Sequence, residues 1–192
     1  MRLWQRALRR AGIALAYSEG FNPHPRISLA APLALGVTSD AELMDIVITD
    51  WVSPHVFTTT VNRQLPPGIE VLQVYPLAVT MPSLQSQVRF AEYFVEVAAA
   101  QSRPEIEKAI TSLMALDHLP WEHRRDTGPH RYDLRALIAR IWIAASGEGS
   151  CTLGMSLRCD NAGAGRPEQV AAALGFGEPL GIHRARLILQ AS

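Results

Sequence analysis

Residues 137–159 read L-I-A-R-I-W-I-A-A-S-G-E-G-S-C-T-L-G-M-S-L-R-C. Two apolar runs with β-branched and aromatic residues flank Ser146-Gly-Glu-Gly149, which predicts a β-hairpin over 137–145 and 151–159. Upstream, the spacing predicts a strand over 91–98, then a helix over 103–116 introduced by Ser102 and Pro104. An extra strand over 117–124 and a polar, turn-rich stretch over 126–135 come before the hairpin. Downstream lie a helix over 166–174, with Pro167 at its start, and a final strand over 182–189. Strand-helix-strand-strand-helix-strand, with one strand added in the middle, is the ferredoxin-like, split βαβ order.

The first half gives helix, strand, strand, helix, strand. A helix over 1–11 ends at Gly12, with Trp4, Ala7, Leu8 and Ala11 on one stripe and Arg2, Arg6, Arg9 and Arg10 on another face. Strands are expected over 13–17 and 42–49, with the acidic Asp45 facing the intervening loop. A helix is expected over 50–65, with Ser53 as N-cap and Pro54 at its first position; Pro66-Pro67-Gly68 stops it, and a strand over 69–78 follows. This is the same order with its opening strand absent. The expected architecture is therefore α+β: two tandem ferredoxin-like subdomains, 1–80 and 88–192, the first lacking a strand that would be central in its sheet. Such a gap leaves backbone groups unpaired and invites association.

With 48% hydrophobic and 19% charged residues, the chain is folded rather than disordered. No apolar run approaches the ~20 residues that cross a bilayer, so no membrane role and a cytoplasmic location are expected. Cys151 and Cys159 fall in one strand, too far apart to bridge each other, and are read as free thiols. Net charge is zero but unevenly laid out: residues 1–36 carry Arg2, Arg6, Arg9, Arg10 and Arg26 against Glu19 alone. A local anion-binding face is compatible with that layout, whereas indiscriminate coating of nucleic acid is not.

Residues 17–28, Y-S-E-G-F-N-P-H-P-R-I-S, match no regular element. Pro23 and Pro25 hold their neighbours extended, and Gly20 accepts positive φ. On this stiff segment Ser18, Asn22, His24, Arg26 and Ser28 present polar groups, and Tyr17 and Phe21 present aromatic faces. With Arg6, Arg9 and Arg10 they make a candidate substrate-binding surface for a phosphate-bearing ligand, through guanidinium forks and a stacking platform. The alternative is a proline-stiffened connector whose Phe21 plugs the core, beside a plain solvated helix face.

The same residues carry a resemblance. Arg6-Ala-Leu-Arg-Arg-Ala-Gly12, Ala16-Tyr-Ser18, Gly20-Phe-Asn-Pro-His-Pro-Arg26, Pro32-Leu-Ala-Leu-Gly36, Leu65-Pro-Pro-Gly68 and Ala91-Glu-Tyr93 resemble the radical-SAM-linked protein family. That family is a domain of unknown function fused behind, or encoded beside, a cobalamin-type radical SAM enzyme. The resemblance implies a radical SAM partner that carries the iron–sulfur cluster, S-adenosylmethionine and cobalamin, with no cofactor in this chain. It also implies a preceding strand and a Ser-His-Leu-Asp segment before the first helix. Met1 falls where an internal residue of that helix would lie, through a misassigned start or real divergence, and a form extended by about 20 residues upstream is expected to be more stable and more soluble.

Other chemistries find little support. Two cysteines do not supply the clustered thiolates of a radical SAM enzyme. Gly163-Ala-Gly165 and Gly175-Phe-Gly177 lack the lysine of a phosphate loop, the latter reading as turn chemistry. His123 and His130 with either cysteine match no closed zinc spacing. Arg124, Arg125, Arg131, Arg135 and Arg140 are interleaved with Asp126 and Asp133, while His183, Arg184 and Arg186 offer a further cationic strand. Three functions stand: an accessory module that positions RNA or another anionic substrate for a radical SAM partner; a stand-alone RNA-processing enzyme with His24 as general acid or base, helped by Arg26 and Tyr17; and a docking module for assembly.

Overall fold

The computed structural model describes residues 1–78, 80–125 and 128–190, with residues 124 and 125 described by backbone only. In chain order the first elements are α1 (Arg2–Arg10), β1 (Ile27–Leu29), β2 (Val37–Ser39), β3 (Met44–Ile46), α2 (Pro54–Asn62) and the single turn α3 (Leu84–Gln87). There follow β4 (Val88–Ala98), α4 (Arg103–Met114), β5 (Pro120–Arg125), β6 (Gly128–Asp133) and β7 (Ile138–Ser146). The last are β8 (Ser150–Asp160), β9 (Gly163–Ala164), α5 (Pro167–Ala173) and β10 (Gly181–Leu189). The chain is α+β. Among the described residues no helix is long and apolar enough to cross a membrane. Two compact units form, one of Met1–Ala30 with Met44–Leu84, the other of Ala31–Leu43 with Gln85–Ser192.

In the first unit α1 ends as its sequence dictates. Gly12 takes φ +72, its N–H donates to the Arg9 carbonyl at 3.1 Å, and the Ile13 N–H reaches back to Leu8 at 3.0 Å. These two bonds satisfy carbonyls that the helix end would leave orphaned. They also fold Ile13 onto Leu8, and both join a core with Phe57 and Val61 of α2. Each fully buried aliphatic side chain there contributes about 1.5–3 kcal/mol. Ser53 caps α2 by accepting from the Val56 N–H at 3.4 Å, with Pro54 in the first turn.

The sheet of this unit differs from the expected one. β1 pairs antiparallel with β3, Ile27 opposite Ile46. The expected strand over 13–17 shrinks to single bridges, Leu15 to Ile48 and Tyr17 to Pro25. The expected strand over 69–78 does not form. Val71 and Val74 still pack on the core, yet the described backbone there has no neighbouring strand to pair with. Instead the Asn62 amide stands in for one: its Nδ2 donates to the Val71 carbonyl at 3.0 Å and its Oδ1 accepts from the Val71 N–H at 2.8 Å. Asp45 turns from the loop, accepting from the Leu84 N–H at 3.2 Å.

The second unit is built on a sheet of order β2-β10-β4-β8-β7. β10, β4, β8 and β7 are antiparallel to their neighbours, and β2 adds to β10 in parallel. Val95 and Val97 of β4 and Leu153, Met155 and Leu157 of β8 are buried, as are Ile106 of α4 and Val170 of α5. Glu105 closes a capping box at the start of α4, accepting from the Ser102 N–H at 2.7 Å, and these bonds hold its carboxyl below the usual range. The stretch over 126–135, expected to be turn-rich, contains β6. It pairs with β5 in a separate two-stranded ladder, His130 opposite His123 and Tyr132 opposite Trp121; such aromatic cross-strand pairs favour a ladder over a loop.

β2 belongs to this unit although the sequence reading places its residues in 1–80. Arg184 of β10 explains the attachment. Its side chain is buried, Nε donates to Glu42 Oε1 at 2.7 Å, and Nη2 donates to Glu42 and, at 2.9 Å, to the Ala31 carbonyl. Nearby, burial pushes the Tyr93 phenol up. The cationic strand expected from His183, Arg184 and Arg186 is therefore absent. Arg184 is internal, Arg186 pairs with Glu92 at 2.6 Å, and His183 lies 2.9 Å from the Thr38 hydroxyl and 3.3 Å from Asp40. Both cysteines are free and lie on β8.

Candidate functional site

The loop that the sequence singles out is a small hairpin. The Ser18 N–H donates to the His24 carbonyl at 2.9 Å, and the His24 N–H donates back to Ser18 Oγ at 3.0 Å. Tyr17 bridges Pro25, and the Arg26 N–H reaches the Ala16 carbonyl at 2.8 Å. Below, the arms run along one edge of β3, where Val47 donates to the Arg26 carbonyl at 3.0 Å and Ala16 donates to Val47 at 2.9 Å. Gly20, with φ +113, lets the tip reverse direction. Phe21 stands at that tip with 106% of its reference surface exposed, so it does not plug the core.

Two depressions border α1. One is lined by Gln5 and Arg9 of the helix, by residues 12–15, and by Tyr17 and Pro25 of the hairpin. The other is lined by Arg6 and Arg10 together with Leu3, Arg63, Gln64, Leu65 and Pro66. Arg10 Nη2 donates to the Gln64 carbonyl at 3.1 Å, which orients that guanidinium. The structure thus brings Arg9 to Tyr17, and Arg6 to Arg10. Asn22, His24 and Arg26 are exposed and line neither depression, so the three do not converge with the helix arginines on one of these surfaces. Ser18 serves as the hairpin's fastener. Ser28 is half-buried on β1, opposite Asp45.

Arg63 is the residue that sequence reasoning missed. It follows α2 directly, more than fifty residues from α1 in the chain, and only the packing of α2 against α1 sets it beside Arg6 and Arg10. Its one sequence signal was its place just before Pro66-Pro67-Gly68, where a helix end is certain but its neighbours are not.

Electrostatics separates the two units. Every ion pair among the described residues lies in the second, including Arg131 to Glu122 at 2.7 Å, Arg158 to Asp160 at 2.9 Å and Arg103 to Glu107 at 2.9 Å. Arg135 is spent on the Met114 and Ile138 carbonyls, and Arg140 sits 5.0 Å over the Trp142 ring. The side chains of Arg124 and Arg125, and Asp126, lie outside the described residues. In the first unit Arg2, Arg6, Arg9, Arg10, Arg26 and Arg63 have no carboxylate within ion-pair distance among the described residues. Unpaired guanidinium forks on a folded surface keep their full capacity for carboxylate or phosphate. Among the described residues no group of three His, Cys, Asp or Glu side chains is placed to hold a metal ion. His123 Nε2 lies 3.1 Å from Arg166 Nη1.

A family described as an uncharacterized protein conserved in bacteria, DUF2344, matches residues 1–167. The chain belongs to this family. The match spans α1, the hairpin and both depressions, so the basic face lies within the family's domain. No curated protein matches the sequence. Among solved structures, a chain in the crystal structure of a Cbf5-Nop10-Gar1 complex is similar, at 8% identity and a TM-score of 0.49, over 84% of this chain. The alignment covers 40% of that chain, less than half its length.

Proposed function

We propose that this chain is an accessory, non-catalytic module that binds an RNA or another anionic substrate and presents it to a radical SAM enzyme. The observation that carries the anionic part is the set of carboxylate-free arginines on the first unit, six on one small domain, of which Arg9 shares a depression with Tyr17. The partner is supplied by the resemblance of residues 6–36 to proteins encoded with cobalamin-type radical SAM enzymes. The iron–sulfur cluster, S-adenosylmethionine and cobalamin belong to that partner, and the complex works in the cytoplasm. The fold reading that goes with it is a tandem of ferredoxin-like subdomains. The antiparallel order β10-β4-β8-β7 favours it in the second unit, and the first unit would be the version without its opening strand.

The test is direct. Single-stranded RNA binding should fall steeply as salt rises, because each phosphate contact releases counterions. Arg9→Ala and Arg26→Ala are expected to weaken it while leaving the melting temperature nearly unchanged. Phe21→Ala should cost about 1–3 kcal/mol of binding if a base stacks on the ring. A salt-independent affinity, or a large fall in melting temperature from either arginine change, would overturn the substrate-binding reading. Failure of a tagged chain to co-purify any radical SAM protein from its source cell would remove the partner.

A further inference from the structure

The depression between α1 and the end of α2 holds Arg6, Arg10 and Arg63, and no carboxylate lines it. We infer that it is a phosphate-binding subsite, a deepening that rests on the anionic-substrate reading of the first unit. Arg6 and Arg10 lie one turn apart on one strip of α1, and Arg63 faces them from the C-cap of α2. A cation at a helix C-terminus is ordinary, since it complements the dipole. That accounts for Arg10 and Arg63, and Arg6, exposed in the middle of its helix, adds a third positive charge to the same depression. Three exposed positive charges thus line one depression with no carboxylate among them, an arrangement that favours an anion.

The lining of the site supplies donors suited to a phosphoryl group. Arg10 spends one N–H on the Gln64 carbonyl at 3.1 Å and is held in place by it, while the remainder of its fork stays free. Leu3, Leu65 and Pro66 form the apolar part of the lining, and the exposed guanidinium forks supply charge-assisted donors for a bound oxyanion. A phosphodiester of a single strand, a nucleotide phosphate and a lipid phosphate share this chemistry, and the strand is the source that also suits the second depression on α1, lined by Arg9 and Tyr17.

Binding of the 192-residue chain should be measured against a single-stranded oligoribonucleotide, a nucleoside 5′-monophosphate, and phosphatidylcholine vesicles containing phosphatidylglycerol. Arg63→Gln is expected to weaken RNA binding about tenfold and to lower the salt slope by about one. Arg6→Gln should do the same, and Arg63→Lys should recover the slope but only part of the affinity, since charge survives and the fork does not. If Arg63→Gln misfolds, Arg6→Gln on the exposed helix face decides the matter. Unchanged affinity of both variants for all three probes would overturn the subsite, and would leave the function reading intact if Arg9→Ala still weakens RNA. Arg63-dependent capture of vesicles or nucleotide without any RNA binding would keep the subsite and sink the RNA-presenting function.

Discussion

At the scale of single residues, Gly154 shows how a sheet face is made. It pairs with Phe94 on one side and Trp142 on the other, and the Trp142 ring lies across it. A Cβ added at this position would sit 2.0 Å from Trp142 Cε2, which is no tolerable contact. Trp142 in turn meets Phe94 edge-on, with ring centroids 6.4 Å apart and planes at 84°. Gly154→Ala must therefore push the indole away and disturb that pair together with the Arg140 contact. The expected loss is about 1–3 kcal/mol, as for other overpacked sites; urea unfolding measures it, and near-UV circular dichroism should register the displaced indole. Trp142→Ala beside Gly154→Ala should then cost little more than Trp142→Ala alone. An unchanged midpoint for Gly154→Ala would mean that the ring has room to tilt.

At the scale of elements, most helices were legible and several strands were not. α1, α2, α4 and α5 follow from periodic apolar residues, from Gly12, Ser53 and Ser102 at helix ends, and from Pro167 in a first turn, all local signals. A strand needs a neighbour, and the neighbour is not written in the strand. Residues 69–78 carry strand-like composition yet, among the described residues, pair with no strand and take the Asn62 amide at Val71 instead. Residues 128–133 look like turn yet pair with β5. The amides of residues 72–75, 77 and 78 should therefore exchange with solvent far faster than those of the central strands β4 and β8, whose groups are bonded on both sides. Hydrogen exchange by NMR checks this; protection in 72–78 equal to that in β4 would show that the segment has found a strand partner.

At the scale of the whole molecule, the chain leaves the first unit at Ala30, contributes residues 31–43 to the second, and returns at Met44. A cut between residues 84 and 85 accordingly separates Arg184 from Glu42 and from the Ala31 carbonyl. A fragment of residues 85–192 would leave that guanidinium without its carboxylate, and breaking such a pair costs about 3–5 kcal/mol to the extent that the site stays dry. Arg184→Met is then expected to stabilise the fragment and to destabilise the full chain, an inversion of sign that thermal melts of the four proteins would reveal. The same sign in both contexts would mean that Arg184 finds another partner, or water, in the fragment.

The sequence by itself determined the α+β class, the helices with their caps, the stiffness of the loop over 17–28 and the uneven distribution of arginine. Each of these depends on residues within a few positions of one another. Only the tertiary structure decided which arginines remain free. Arg184 and Arg186 look as available in the sequence as Arg6 and Arg9, but strand pairing brings Glu42 and Glu92 to the former and no carboxylate to the latter. The placing of Arg63 beside Arg6 and Arg10 was decided in the same way, because the packing of Leu8 against Val61 sets the two helix ends side by side. Charge is a property of composition, whereas an unpaired charge depends on which distant groups the folded core brings within reach of it.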